Sequence, residues 1–470
     1  MKRGGHMENR NRGYITVFLT LMLSAILILV ITVYTLVDLS CAKGRTATAL
    51  RSAMSGYRAQ YNRYLFDHYH MLFLNQNPHG EGPGGIEAEV EARLSENLGE
   101  DYTICDVAVT GVTGVLDNNA LEFRKQVEAV SPYLLADKGV DSLREKVNGN
   151  DRPVTEEEMN NLDLQKDEKT DKKDGDVDPR TYTKVFQKGG VAYRVLPEDV
   201  TFSTEKVDQA KLPSQGKSGM SLMTMDASFT SLSKLKRDMS QVGGWLDSAS
   251  QEAAGLVYAA NCFNCLTDEV QEGTVLKLEM EYLIAGRPTD AENYKKCADQ
   301  ILIIRTGCNF AYIIRDASKM ARLSALAWSL CWFFPPAQPV VKYLLAGAWS
   351  YLESVADLYR LVRGRKVPFM KNSQTWITDL GGFGNLEQDA AGGSDDDSGM
   401  DYEDYLLILL ATRMNDGYYR MLDIMQLNVN QNVKSDSEYF DLSNAMAAFG
   451  VSVLVDYEGH EIRMEEELGF

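Results

Sequence analysis

From Ile15 to Val37 the chain carries no charged side chain, and Leu, Ile and Val dominate the run. Wound as a helix at ~1.5 Å per residue, this stretch is about 34 Å long and exceeds the ~30 Å hydrocarbon core of a bilayer. No other feature restricts the fold as strongly, because a segment this apolar either sits in lipid or is removed. The apolar core of a cleaved secretory signal is only about 7–15 residues long. Residues 14–37 are therefore expected to stay as a transmembrane helix that meets the lipid bilayer directly. Ser40 and Ala42 loosely imitate a cleavage site and keep the signal-peptide reading open. Cys41 is no lipid-attachment site, since Asp38 stands where an apolar residue is required.

Lys2, Arg3, Arg10 and Arg12 precede the span, and Lys43, Arg45 and Arg51 follow it. The short tail, residues 1–13, is expected in the cytoplasm, with the bulk outside, because long exported domains translocate largely regardless of charge. The 470-residue chain has a net charge of −19. That acidity argues against nucleic acid as a partner, since phosphate binding needs clustered Lys and Arg. An apolar fraction of 44% argues against a disordered chain and for a sizeable core.

Beyond the membrane segment, Leu50, Met54, Tyr57, Tyr61, Leu65, Tyr69 and Leu72 recur at spacings of three and four. Arg51, Arg58 and Arg63 fall off that stripe. The spacing predicts that residues 38–75 continue the anchor as one amphipathic rod, its apolar face available to protein partners. An extracytoplasmic head then fills residues 76–470. A long N-terminal helix, half in the membrane and half packed on a head, is the plan of a type IV pilin.

Specific segments carry a family resemblance. Gly13-Tyr14-Ile15-Thr16-Val17-Phe18-Leu19-Thr20-Leu21 opens it, and Tyr61-Asn62-Arg63-Tyr64-Leu65-Phe66-Asp67 follows the span. Leu278-Glu279-Met280-Glu281-Tyr282-Leu283-Ile284-Ala285-Gly286 and Ile304-Arg305-Thr306-Gly307-Cys308-Asn309-Phe310 lie further along. Glu353-Ser354-Val355-Ala356-Asp357 and Met400-Asp401-Tyr402-Glu403-Asp404-Tyr405-Leu406 complete the set. With these the chain resembles a family of uncharacterised single-span membrane proteins that occur with tight-adherence (Tad/Flp-type) pilus systems of Gram-positive anaerobes. The resemblance implies an envelope or pilus-associated structural role. One departure stands out: pilins carry a Glu five residues into the mature helix, whereas processing after Gly13 would place Phe18 there.

The expected fold class is α+β: the anchor and rod, then a mainly helical head with short antiparallel strands. Ile104 to Val115 alternates as a half-buried strand does, and Asn119 to Ala136 reads as a helix with an Asn cap. Residues 148–179 and 388–401 are acidic and poor in apolar side chains, and are expected as disordered loops. Lys184-Val185-Phe186 and Val191 to Val195 suit short strands, and a helix passes through Leu232, Leu235 and Met239. Leu276 to Ile284 suits either a helix or a strand. Leu323 to Leu352 is strongly apolar but broken by Pro335, Pro336 and Lys342, so a buried helical hairpin is expected, with a membrane-resting hairpin as the alternative. Tyr405 to Leu427 reads as one helix and Val451 to Tyr457 as a strand.

No catalytic, cofactor-binding or metal residue is expected. Gly216-Lys217-Ser218 ends like a phosphate loop, but Lys211 replaces the first glycine and Pro213 removes an amide. Asp174-Gly175-Asp176-Val177-Asp178 starts like a calcium loop, but Pro179 occupies the glycine position; Asp395-Asp396-Asp397 lacks the frame altogether. Cys262-Phe263-Asn264-Cys265 is the one close cysteine pair, and Cys297 and Cys308 are too widely spaced for a second zinc knuckle unless the fold brings them together. Buried free thiols are expected, with a disulfide in an exported domain as the alternative; a redox pair is disfavoured by the mid-helix pattern of Ala253 to Ala260. His68 and His70 do not share a helix face, and His79 and His460 lack neighbouring ligands. The reading is therefore a non-enzymatic, membrane-anchored assembly component. A tethered binding or sensing module and an exported enzyme with dispersed site residues are the alternatives.

Overall fold

The computed structural model describes residues 9–75, 83–134, 191–215, 252–269, 272–380, 390–393, 399–432 and 441–469. They form two compact units: residues 1–63, 72–117 and 443–470 in the first, residues 64–71 and 118–442 in the second. The head is thus not one continuous domain, because the first unit borrows both ends of the chain.

The first unit is built on α1, the fifty-residue helix Asn9–Arg58. No proline interrupts it, and in its apolar half the hydroxyls of Thr20, Ser24, Thr32 and Thr35 donate to carbonyls three or four residues back. That arrangement satisfies each polar group without water. The apolar side chains from Tyr14 to Val37 are exposed, and α1 is long and apolar enough to cross a membrane. Further along, Ala42, Ala49, Leu50, Ala53, Met54 and Tyr57 lie on one buried face.

That face meets an antiparallel sheet of four strands: β1 Leu74–Asn75, β2 Tyr102–Gly114, β3 Ala445–Tyr457 and β4 His460–Gly469. Strand β3 is central and pairs with each of the others. Its apolar run Phe449, Val451, Val453 and Val455 enters the same core, where the Phe449 ring stands edge-on to Tyr57 at 5.4 Å. A further helix, α3 (Pro83–Leu98, which follows the short helix α2, Arg63–Tyr69), adds Ile86, Val90 and Leu94 at intervals of four. Arg51 and Arg58 lie off the stripe and tie α1 to β4: Arg51 pairs with Glu466 at 2.7 Å and Arg58 donates to the Gly469 carbonyl. The stripe predicted to face partner proteins is therefore filled by the molecule's own sheet.

The predicted rod over 38–75 is also shorter than expected. Helix α1 stops at Arg58, Gln60 N donates to the Tyr57 carbonyl, and Asn62 N donates to the Phe73 carbonyl. Leu65 and Tyr69 belong to a separate short helix, α2 (Arg63–Tyr69), in the second unit. Their spacing continued a helical pattern only because two elements happened to share a phase. Strand β4 has no counterpart in the sequence reading. Its Glu-rich outer face hides the alternation of Ile462 and Met464, and its hairpin turns through Glu458 and Gly459, both at positive φ.

The second unit is helical. It contains α4 (Asp117–Val130), α5 (Ala253–Cys262), α6 (Glu279–Ala285), α7 (Asp290–Arg315), α8 (Ala317–Leu330), α9 (Gln338–Leu361), α10 (Tyr402–Ala411) and α11 (Met414–Asn432). Asn119 does not cap α4 from an extended conformation; Asn118, Asn119 and Ala120 are all left-handed. Val191–Arg194 is a helical turn instead of a strand, and neighbouring carbonyls are taken by side chains: Tyr294 donates to Ala192 and Arg363 to Val195. Of residues 276–284, only 279–284 are helical, within α6: Asp290 accepts from the amides of Lys277 and Leu278 in the non-helical lead-in, and Gly286, at φ +56°, ends the helix. The predicted helix 405–427 is two helices, broken at Thr412 and Arg413. Of the acidic loops, 148–179 and half of 388–401 lie outside the described residues, as do Lys184 to Phe186 and the Leu232 to Met239 helix. In the described half, residues 390–392 are helical and Met400 bridges Val367, so this part is not the disordered loop expected.

Candidate functional site

Three of the family-resembling segments converge at one buried point. The Arg305 guanidinium, on α7, is completely buried and spends its donors on α9, α10 and the segment at 368–369. Nε and Nη2 grip Asp357 of α9 at 3.0 and 2.8 Å; Nη1 reaches the Pro368 and Phe369 carbonyls and the Tyr405 hydroxyl of α10. Asn309, one turn on, donates to Asp357 and to Ser354. Lys371 bridges Asp357 and Glu353, and Glu353 accepts from the Ile377 and Thr378 amides and the Thr378 hydroxyl.

Two cations thus face two carboxylates with no exposed side-chain surface. Burial works to raise the Asp357 pKa, and Arg305, Lys371 and Asn309 together overcome it and hold the group below the usual carboxylate range. A matched cluster of this kind, closed off from solvent, stabilises one packing of the helices. It offers no open position to a substrate.

A second cluster surrounds the Cys262–Cys265 turn. Glu279 accepts from Asn264 N and from Asn428 Nδ2, and Glu281 accepts from Leu266 N, so two buried carboxyls from α6 hold the turn in place. Asn428 also donates to the Tyr69 hydroxyl. No Lys or Arg side chain acts on either carboxyl as a main influence. Burial is the largest cause of both shifts, pushing Glu279 up to about 7 and Glu281 up to about 8. The Oε2 of Glu281 and the Tyr402 hydroxyl lack hydrogen-bond partners at normal geometry, although Tyr402 lies near enough to favour the charged form of Glu281.

The remaining motif residues have legible structural tasks. Asp401 caps α10 and Asp404 completes the capping box, each accepting from the other's amide. Glu403, between them, meets Cys265 and Asp268, and one ligand atom from each of the three lies within 4.8 Å of the others. This trio is the group of metal-capable side chains found among the described residues. A cation there would first have to displace the proton of Cys265, whose pKa burial, Glu281 and Asp268 push well above its usual value.

The other residues weighed from sequence do not join a site. His68 stacks on Tyr64 at a centroid distance of 4.1 Å, His70 lies at positive φ, and His460 is exposed at the start of β4. Cys297 donates to the Glu281 carbonyl, and Cys308 is buried beside Arg305. All seven thiols are free. His79, Gly216-Lys217-Ser218 and both acidic loop motifs lie outside the described residues. The ionic cluster was not read from sequence as a site, because its members are scattered from 305 to 405. Arg305 directly after the apolar run Ile301 to Ile304, and Glu353 and Asp357 within an apolar stretch of α9, were the available signal.

Residues 166–457, more than half of the chain, match a family of unknown function, DUF5702. The chain belongs to this family. Both buried clusters fall inside the region that DUF5702 covers, whereas α1 precedes it. No curated protein and no solved structure matches the chain. For this DUF5702 member, function therefore has to be argued from its own geometry.

Proposed function

We propose that this protein is a single-pass, membrane-anchored and non-enzymatic structural or assembly component of a cell-envelope or Tad-like pilus apparatus. The observation that carries the reading is the division of α1. Its first half presents apolar side chains outward, and its second half is the central core element of a folded domain. An anchor continuous with its domain transmits position and load rigidly, which a flexible tether does not. The single N-terminal helix packed on an antiparallel sheet also supports the likeness to a pilin plan.

Retention of the helix is favoured over removal as a signal. Asp38 accepts from the Tyr457 hydroxyl at 3.0 Å, and Ala42 is buried in the core. Cleavage near Ala42 would strip these contacts from the fold. In the proposed topology the N-terminus is cytoplasmic and both units lie outside. Partner proteins would meet the exposed face of the anchor and the outer surfaces, since the Leu50, Met54 and Tyr57 stripe is occupied.

The test is protease treatment of intact protoplasts that express a C-terminally tagged chain, with Edman sequencing of the mature N-terminus. Digestion from outside and a start at Met1 support the anchored component, and a start at Tyr14 argues for prepilin processing. Protection of the tag until the membrane is broken refutes the orientation, and the pilus role with it. A second reading, a tethered sensing module, is favoured only by the Cys265, Asp268 and Glu403 trio; stoichiometric Zn²⁺ binding in equilibrium dialysis, lost in Glu403→Gln, would support it.

A further inference from the structure

The helical hairpin of α8 and α9 is buried at its base and bare at its tip. On α9, Ala346, Trp349, Leu352 and Leu358 are in the core, and on α8 so are Leu323 and Ala327. At the turn, Trp332, Phe333 and Phe334 keep 70%, 72% and 57% of their surface exposed, with Trp328 and Val340 beside them. An aromatic triplet left this open in water is a contact surface awaiting an occupant.

We infer that this tip is a second membrane contact, in which Trp332, Phe333 and Phe334 enter the interfacial layer of the bilayer that α1 spans. The inference rests on the anchored reading above. Three observations favour lipid over a protein partner. First, no Asp, Glu, Lys, Arg or His occurs from Leu323 to Val341, so the tip brings no charge that would need water or a counter-ion.

Second, the backbone of the turn is largely closed on itself. Cys331 N donates to Ala327, Phe334 N to Cys331 and Ala337 N to Phe334, while Pro335, Pro336 and Pro339 have no amide to satisfy. Lipid demands that economy and a protein groove does not. Trp and Phe are also side chains of the headgroup boundary, where an apolar ring is buried and an indole N–H stays wet.

Third, the hairpin holds its shape before any contact. The Arg322 guanidinium pairs with Asp379 at 2.8 Å, Lys319 lies over the Trp349 and Trp376 rings, and the Trp332 and Phe333 rings pack edge-to-face at 6.3 Å. Little order is lost when such a tip docks. Because the same chain is tethered to the bilayer, docking becomes an intramolecular event, and even a weak contact is populated.

The test uses the full-length chain in lipid nanodiscs at one chain per disc, with ordinary or brominated phosphatidylcholine acyl chains. All tryptophans, at 245, 328, 332, 349 and 376, lie outside α1, so the anchor contributes no signal. Emission of the wild type minus that of Trp332→Phe isolates Trp332. The expected result is a blue-shifted difference spectrum that brominated chains quench and aqueous acrylamide does not, with the quenching of Trp332 weakened at least twofold in the double variant Phe333→Ser, Phe334→Ser, which keeps Trp332. If the chain floats with the discs but brominated lipid leaves Trp332 emission unchanged, the tip contact is overturned and the anchor stands. Shielding from acrylamide that appears only at several chains per disc would assign the tip to a second copy and also overturn the inference. If the chain fails to float, the anchor reading falls and takes the tip contact with it.

Discussion

Replacing Asp357 by Asn removes one charge and almost no volume from the buried cluster beneath α10. In the native protein Asp357 accepts two bonds from Arg305 and one from Asn309, and it meets Lys371 at 2.6 Å. After the change, two buried cations face Glu353 alone, and the new amide turns donors toward one of them. Removing one partner of a buried ion pair costs about 3–5 kcal/mol, far more than an exposed pair contributes. At roughly 2–4 °C per kcal/mol for a domain of a few hundred residues, the midpoint should fall by roughly 6–20 °C. All five tryptophans lie in the second unit, so tryptophan emission during urea unfolding of the detergent-solubilised chain follows that unit specifically. Arg305→Met should cost a similar amount, and the double variant distinctly less than the sum, because it removes a cation together with its anion. A loss below about 1 kcal/mol for Asp357→Asn, or strict additivity in the double variant, would show that the cluster does not act as a matched electrostatic unit.

Other expectations follow from the same geometry. Glu279 and Glu281 have folded pKa values raised to about 7 and about 8, so their contribution is fully present below the unfolded value and is lost as pH rises through the folded one. Stability of the second unit should therefore decline from near pH 5 toward pH 8, by about 1.4 kcal/mol per pH unit per group at most. Glu281→Gln, which keeps an acceptor for Leu266 N, should flatten that slope in urea titrations at several pH values; an unchanged slope sinks the assignment. Asp357 has the opposite sign, since its depressed pKa gives stability that is present above the ordinary carboxylate value and is lost as pH falls through the lowered one. Gly286→Ala should destabilise by about 1–3 kcal/mol, because the position lies at φ +56° and the new Cβ would sit 2.6 Å from Arg420 Nε. Thermal melts settle this, and a neutral result would mean that the Arg420 side chain moves aside freely. In native chain, an aromatic disulfide reagent at pH 8 should modify exposed Cys105 and leave Cys265, Cys297 and Cys308 untouched until denaturant is added. Rapid native labelling of those three would contradict their burial.

Local chemistry written in consecutive residues could be read without coordinates. The span at 14–37 needs only a run of apolar side chains, and the alternation in β2 is equally short-range. The acidic α+β character followed from composition and from those periods. What escaped was whatever depends on residues far apart in the chain. The end of α1 at Arg58 is decided by the turn that ties Asn62 to Phe73, and the use of its stripe is decided by β3, some four hundred residues away. Strand β4 became visible only as the partner of β3, because edge strands bury one face and its other face is crowded with Glu. The Arg305, Asp357, Lys371 and Glu353 cluster looked like four isolated charges in apolar surroundings, for Coulomb energy depends on separation in space and sequence spacing does not report it. The hairpin at 323–352 divided in the same way: its apolar composition was plain, but only packing could bury α9 and leave Trp332, Phe333 and Phe334 bare. Burial is a property of neighbours, and in this chain most of the decisive neighbours are remote.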